Sequence, residues 1–147
     1  MAQSLYPVFS IPDLDVSSAE QAKVLKAGPL FDFTTGDFVL DGQNRVVYVD
    51  GSDSYTLWVL KTLNTQYAAC AAYPDYGIDA EEAMQQPDRE AVQSALERTI
   101  TEALSENPAT ERVSDFSFTW EGSDLNVRFV IKPYEWDALD INMKVVN

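Results

Sequence analysis

The sequence predicts an α+β fold, a small mixed or antiparallel sheet with an amphipathic helix packed on it. Two stretches carry this reading. Between Asp88 and Pro108, Val92, Leu96, Ile100 and Leu104 recur at three- to four-residue spacing, with Ala91, Ala95, Thr99 and Ala103 beside them. Together they make one apolar stripe of a helix. The period then changes to two. Phe116, Phe118 and Trp120 share one face and Asp115, Ser117 and Thr119 the other. Leu125, Val127, Phe129 and Ile131 alternate with Asn126, Arg128, Val130 and Lys132. Such alternation belongs to strands with one packed face. The turn-like Glu121-Gly122-Ser123-Asp124 joins the two runs into a hairpin, whose packed face meets the preceding helix.

The chain divides into an extended arm (1–27), a main α+β domain (28–138) and a final strand (139–147). The arm carries Pro7 and Pro12 among irregularly spaced Leu5, Val8, Ile11, Leu14 and Val16. Prolines and irregular spacing argue against a core element. A short helix over Ser18 to Lys26 is the one regular piece expected there, with Ser18 as its cap. Apolar side chains on an arm lie on something, either this domain or a neighbouring subunit.

Residues 28–50 read as short strands and turns. Gly28-Pro29 breaks the chain, and Thr34-Thr35-Gly36-Asp37 and Asp41-Gly42-Gln43-Asn44 form turns. Asp41-Gly42 is a strong hairpin signal. Gly51-Ser52-Asp53-Ser54 offers caps for a helix across Tyr55 to Leu63. That helix has apolar residues on too many sides for one narrow face, so it is expected to be well buried. Tyr73-Pro74-Asp75-Tyr76-Gly77 is a turn, with glycine free to take a left-handed conformation. Ile78 to Gln86 is an acidic connection with a short helix through Ala80 to Met84. Pro87-Asp88 opens the long helix, where proline costs no needed N–H and a carboxylate favours the dipole. Asn107-Pro108 stops it. The last alternating run, Leu139, Ile141, Met143 and Val145, is the piece expected to leave the domain; folding back onto its own sheet is the alternative.

Composition narrows the function. The 147 residues suffice for one domain with a sizeable core. A net charge of −14 and a pI near 4.1 argue against nucleic-acid binding, which needs clustered Lys and Arg. The same charge argues against an anionic membrane surface. It suits a soluble protein, or one that meets basic partner surfaces. No apolar run approaches the ~20 residues that span a bilayer. Met1 to Tyr6 lacks a basic and an apolar signal region, so no signal peptide is expected. The single cysteine, Cys70, cannot form an internal disulfide and reads as a small buried residue among Ala68 to Ala72.

Chemistry is sparse. There is no His, which excludes His-based triads and His metal sites. Neither a phosphate-binding loop, a dinucleotide fingerprint nor an EF-hand loop is present. Glu81-Glu82 lies in a polar connection and Glu121 in a turn, and neither setting raises a carboxyl pKa for general-acid work. No catalytic residue, metal ligand or cofactor is assigned. Phe116, Phe118 and Trp120 read as core. Tyr134 and Trp136, in a loop opened by Pro133, read as partner anchors or as local packing, with equal weight.

The order of elements resembles a known family. Phe31-Asp32-Phe33-Thr34-Thr35-Gly36-Asp37-Phe38 comes first. A buried helix running to Leu63-Asn64-Thr65 follows, then Tyr73-Pro74-Asp75-Tyr76-Gly77. An amphipathic helix ends in Glu106-Asn107-Pro108, and Val113-Ser114-Asp115-Phe116 leads into the hairpin. Over roughly Gly28 to Ile131 the chain is similar to the baseplate wedge protein that initiates the sheath in contractile phage tails and related injection particles. The nearest branch is that of Gram-positive prophages and tail-like bacteriocins.

That resemblance implies a structural virion component with a fold like the sheath protein's C-terminal domain. It implies other wedge proteins, the sheath protein and the tube or hub as partners, and six copies per particle. The location would be the tail baseplate, assembled in the host cytoplasm. It further implies sheath initiation by β-strand addition, with Leu139, Ile141, Met143 and Val145 as the matching strand. Strand addition draws affinity from unpaired backbone groups and register from alternate side chains.

The sequence departs from the family between the buried helix and the Tyr-Gly turn. Members carry an acid and an Arg there to contact the wedge core, whereas this chain reads Thr65-Gln66-Tyr67-Ala68-Ala69-Cys70. Tyr67, Tyr73, Tyr76 and Gly77 are the wedge-contact candidates left. The family also carries a lysozyme label; with no credible carboxylate pair, that activity is not transferred. A cell-wall-degrading baseplate enzyme and a soluble adaptor outside any phage particle stand as the alternatives.

Overall fold

The elements run in the order β1 (Gly28–Pro29), β2 (Phe31–Asp32), β3 (Asp37–Phe38), β4 (Tyr48–Val49), α1 (Gly51–Leu63), α2 (Ala80–Met84), α3 (Arg89–Ser105), β5 (Thr110–Glu121), β6 (Asp124–Pro133) and β7 (Leu139–Val145). They come from a computed structural model that describes residues 27–146. The expectations for residues 1–26, including the short helix over Ser18 to Lys26, lie outside the described residues. The architecture is α+β.

The periodic helix is α3. Asp88 caps it, its carboxylate accepting from the Ala91 N–H at 2.9 Å. Val92, Leu96, Ile100 and Leu104 are buried along one side. Asn107 then turns the chain into β5. Its side chain accepts from the Ala109 N–H at 2.9 Å and its carbonyl from the Thr110 N–H at 3.0 Å. These bonds satisfy backbone groups in the turn that follows the helix.

β5, β6 and β7 form one antiparallel sheet in that order. The central strand carries the core: Leu125, Val127, Phe129 and Ile131 are each 0% exposed. Burying side chains of this size contributes roughly 1.5–3 kcal/mol apiece. α3 covers this face. On β5, Phe116, Phe118 and Trp120 lie against the same core, as their alternation predicts. The strand also extends back to Thr110, further than the alternation reveals. Ser114 pairs with Val130 but Ser117 with Arg128, so an extra residue sits on β5. Asp115 takes a φ of 58° in this bulge. A bulge resets the side-chain parity. It puts Val113 and Phe116 on one face although they are three apart.

α1 begins at Gly51, earlier than expected, with Asp50 at the cap making no side-chain capping bond. It buries Tyr55, Leu57, Val59 and Leu63. The Tyr55 hydroxyl bonds Thr110 Oγ1 at 2.7 Å and ties this helix to the start of β5. β1 pairs with β4 and β2 with β3, and a bridge joins Leu40 to Val46. At the Asp41-Gly42 turn the Asp41 carboxylate accepts from the N–H groups of Gln43 and Arg45, at 2.8 and 3.0 Å. One expectation fails locally. Cys70 is only half-buried and its alanine neighbours 68, 69, 71 and 72 are exposed, because this stretch is a chain of turns and not a packed element.

Candidate functional site

Two surfaces collect the residues singled out in the sequence. The first is the edge of the sheet at β7. The expectation that this strand leaves the domain is not what the described chain does. β7 pairs with β6 along seven register positions, Leu125–Val145 at one end and Ile131–Leu139 at the other. Its alternation matches the domain's own apolar face. Leu139, Ile141, Met143 and Val145 lie beside Ile131, Phe129, Val127 and Leu125. Ion pairs hold the opposite face. Arg128 binds Asp140 through two nitrogens, Nε reaching Oδ1 at 3.0 Å. Lys144 Nζ lies 3.2 Å from both Glu121 and Asp124. The Arg128 hydrogen bond holds the Asp140 carboxyl below the usual aspartate value. Exposed pairs add little stability, but these five charges agree on a single register.

What β7 leaves open is its outer side. It is the last strand of its sheet, so its outward backbone groups have no sheet partner among the described residues. Val145 is buried, whereas Leu139, Ile141 and Met143 are half-exposed. The apolar face therefore continues past the helical cover. Near Val145 the edge opens on a groove of about 460 Å³ lined by Gln66, Ala80, Met84, Gln85, Val145 and Val146. The opposite edge, β5, is different. Register breaks at Thr110–Arg112 and Ser114–Ser117 interrupt it, and Glu111, Arg112 and Asp115 are exposed along it. Bulges are one way in which proteins blunt a sheet edge. β7 has no bulge, and its charged residues Asp140 and Lys144 are held in ion pairs.

The second surface surrounds the tyrosine turn. The Ile78 N–H donates to the Thr65 carbonyl at 2.9 Å and the Tyr67 N–H to the Ile78 carbonyl at 3.0 Å, folding residues 65–78 into a closed loop. Gly77 is buried in it with a φ of 103°. The Tyr76 hydroxyl donates to Thr62 Oγ1 at 3.1 Å, Thr62 itself donating to the Trp58 carbonyl, and the Tyr67 hydroxyl donates to Asp75 at 3.3 Å. The Asp75 carboxylate pushes the Tyr67 hydroxyl above the usual tyrosine value. Tyr67 and Gly77 border a groove of about 230 Å³ whose other wall is α3, with Asp75, Glu102 and Glu106 exposed around it. Tyr76 and Gly77 border the adjoining groove beside Trp58. Tyr73, 68% exposed, stands on the adjacent turn outside both.

The two loop anchors separate. Tyr134 is exposed, whereas Trp136 is half-buried with its ring 5.7 Å from Tyr55. Lys132 Nζ donates to the Trp136 carbonyl at 2.9 Å and fixes the loop. Trp136 is thus local packing. Sequence reasoning missed the acids of the second surface and the Ala80–Met84 wall of the first. Glu102 and Glu106 stand one helical turn apart, which is a readable signal; Asp75 joins them only through the fold.

None of the described carboxylates is buried. No group of three or more His, Cys, Asp or Glu among the described residues could hold a metal ion. No helix among them is long and apolar enough to cross a membrane. A helix-covered antiparallel sheet with one regular open edge, and grooves bordered by exposed side chains, define an α+β domain. The profile of the contractile injection system sheath initiator matches residues 29–133. This is well over half of the chain, and the chain belongs to that family. It is a structural component of a contractile injection system, a baseplate-related protein that meets sheath and baseplate components. The matched span runs from β1 through β6 and stops before β7. Comparison with curated proteins finds no match.

Proposed function

We propose that this protein joins baseplate wedge subunits to the tail tube or hub and initiates sheath polymerisation by β-strand addition, with β7 as the edge that receives the incoming strand. The observation that carries this reading is the contrast between the two edges. β7 offers seven unbroken register positions and a half-exposed apolar row, its charges Asp140 and Lys144 being held in ion pairs, while β5 is broken by two register shifts. An incoming strand would gain backbone hydrogen bonds and cover Leu139, Ile141 and Met143 at once. Its inward residues near Val145 would meet Ala80 and Met84, so small or aliphatic side chains suit that end. The acid-rimmed tyrosine loop is the proposed wedge contact, and its partner surface would be basic. Exposed Tyr134 is a further candidate anchor. Six copies per particle follow from the symmetry of such tails. A catalytic role is not part of this reading.

The test places an inward-pointing charge on each edge. Ile141→Lys should fold, because a half-exposed lysine stem can reach water. It should lower sheath-protein affinity by roughly tenfold or more, since an incoming strand would bury the ammonium unpaired. Val113→Lys on the β5 edge should leave assembly unchanged. Normal sheath assembly by folded Ile141→Lys, or its loss in Val113→Lys, would move the contact away from β7.

A further inference from the structure

Residues 28–49 form a lobe in which no residue is buried. β1 pairs with β4, β2 with β3, and Leu40 with Val46, so three short segments each touch the other two. The alternation sets two faces. Val39, Val47 and Val49 are half-buried. Phe38, Leu40, Val46 and Tyr48 take the other parity and are 46%, 49%, 38% and 65% exposed. Phe31 packs edge-on against Phe33 and Phe38, with centroids 5.1 and 5.4 Å away. The open side is therefore one contiguous aromatic and aliphatic face. Strand pairs this short are marginal in water without a cover, and a contiguous apolar patch marks a docking surface.

We infer that the chain's own N-terminal segment, residues 1–26, covers this face, with the uncharged residues 1–12 making the contact. The segment joins the lobe directly, since it ends at Ala27, next to β1. Fourteen residues separate Pro12 from Ala27, and extended chain spans up to about 3.3–3.6 Å per residue, or roughly 50 Å. Crossing the lobe takes only about two strand spacings, roughly 10 Å. The composition matches as well. Residues 1–12 carry no charged side chain but contain Leu5, Tyr6, Val8, Phe9 and Ile11. The lobe carries Asp32, Asp37 and Asp41 at or beside its turns, Asp41 being paired with Arg45 at 3.1 Å. An uncharged segment approaches them without like-charge repulsion, whereas the same face of a second copy would bring the same three acids. Tethering also raises the effective concentration of the arm to the millimolar range. Pro7 and Pro12 remove backbone donors, so the contact is made by side chains and not as a regular strand.

The experiment uses the full chain with photoreactive p-benzoylphenylalanine in place of Tyr48, prepared as an equal mixture of light and heavy isotopic forms. After irradiation and digestion, the dominant cross-linked peptides should come from residues 1–26, and only as light–light or heavy–heavy pairs. Val8→Asp with Ile11→Asp, which leaves residues 27–146 untouched, should lower that yield at least about fivefold. Mixed light–heavy pairs would assign the face to another copy of the chain. Absence of cross-links to residues 1–26, or a yield unmoved by the double substitution, would equally overturn the inference.

Discussion

Phe129→Ala is expected to lower the free energy of unfolding by about 3–5 kcal/mol, the usual cost of truncating a buried aromatic. Phe129 is 0% exposed at the middle of β6, the strand flanked on both sides. Its ring stacks on Phe116 with centroids 5.1 Å apart. Such ring pairs contribute about 0.5–1.5 kcal/mol beyond the area they bury. Ile141 of β7 is its register partner. The cavity would therefore undermine both strands that the sheet depends on. Domains of this kind are stable by only about 5–15 kcal/mol, so the variant should melt far earlier. Urea unfolding followed by tryptophan fluorescence measures it. Ile131→Val, which removes a single methyl group from the same strand, should cost about 0.5–1.5 kcal/mol. Equal losses from the two variants would mean that the sheet is not packed as described.

Gly77→Ala should be nearly as severe, by a different cause. A Cβ at Gly77 would stand 2.5 Å from the Thr65 carbonyl oxygen and 2.9 Å from the Gln66 carbonyl atoms. All are backbone, and the bonds between Ile78, Thr65 and Tyr67 hold them in place. The φ of 103° adds strain that only glycine avoids. A loss of about 2–4 kcal/mol is expected, taking the backbone strain and the clash together. The loop should open, separating Tyr67 from Asp75. Gly122→Ala is the control. Its φ is 67°, but a Cβ there meets nothing within 4 Å, so only the left-handed penalty of about 1–2 kcal/mol applies. If the two variants lose the same stability, the close approach at Gly77 contributes nothing.

The parts of the fold that were legible are those where period and burial coincide. Val92, Leu96, Ile100 and Leu104 announce α3 because one face of it is buried and the other is wet. Leu125 to Ile131 announce β6 in the same way. The start of β5 was hidden because the bulge at Asp115 inverts the alternation there. The fate of β7 was open because a strand with one apolar face reads alike whether it covers its own sheet or a neighbour's. Arg128 with Asp140 and Lys144 with Glu121 and Asp124 decide its register, yet none of these pairs is close in sequence. Trp136 has the residue type of an anchor, and only the approach of Tyr55 from α1 turns it into packing. The family resemblance was readable from the order of motifs, and the match to residues 29–133 agrees with it.

β7 is proposed to receive a strand from the sheath protein. Hydrogen exchange of the full chain, with and without the sheath protein of its own particle, tests it most directly. Outward-facing amides of Leu139–Val145 should become protected on binding, while those of Thr110–Glu121 stay unchanged. Protection confined to β5, or exchange at β7 that sheath protein leaves unaltered, would contradict the account.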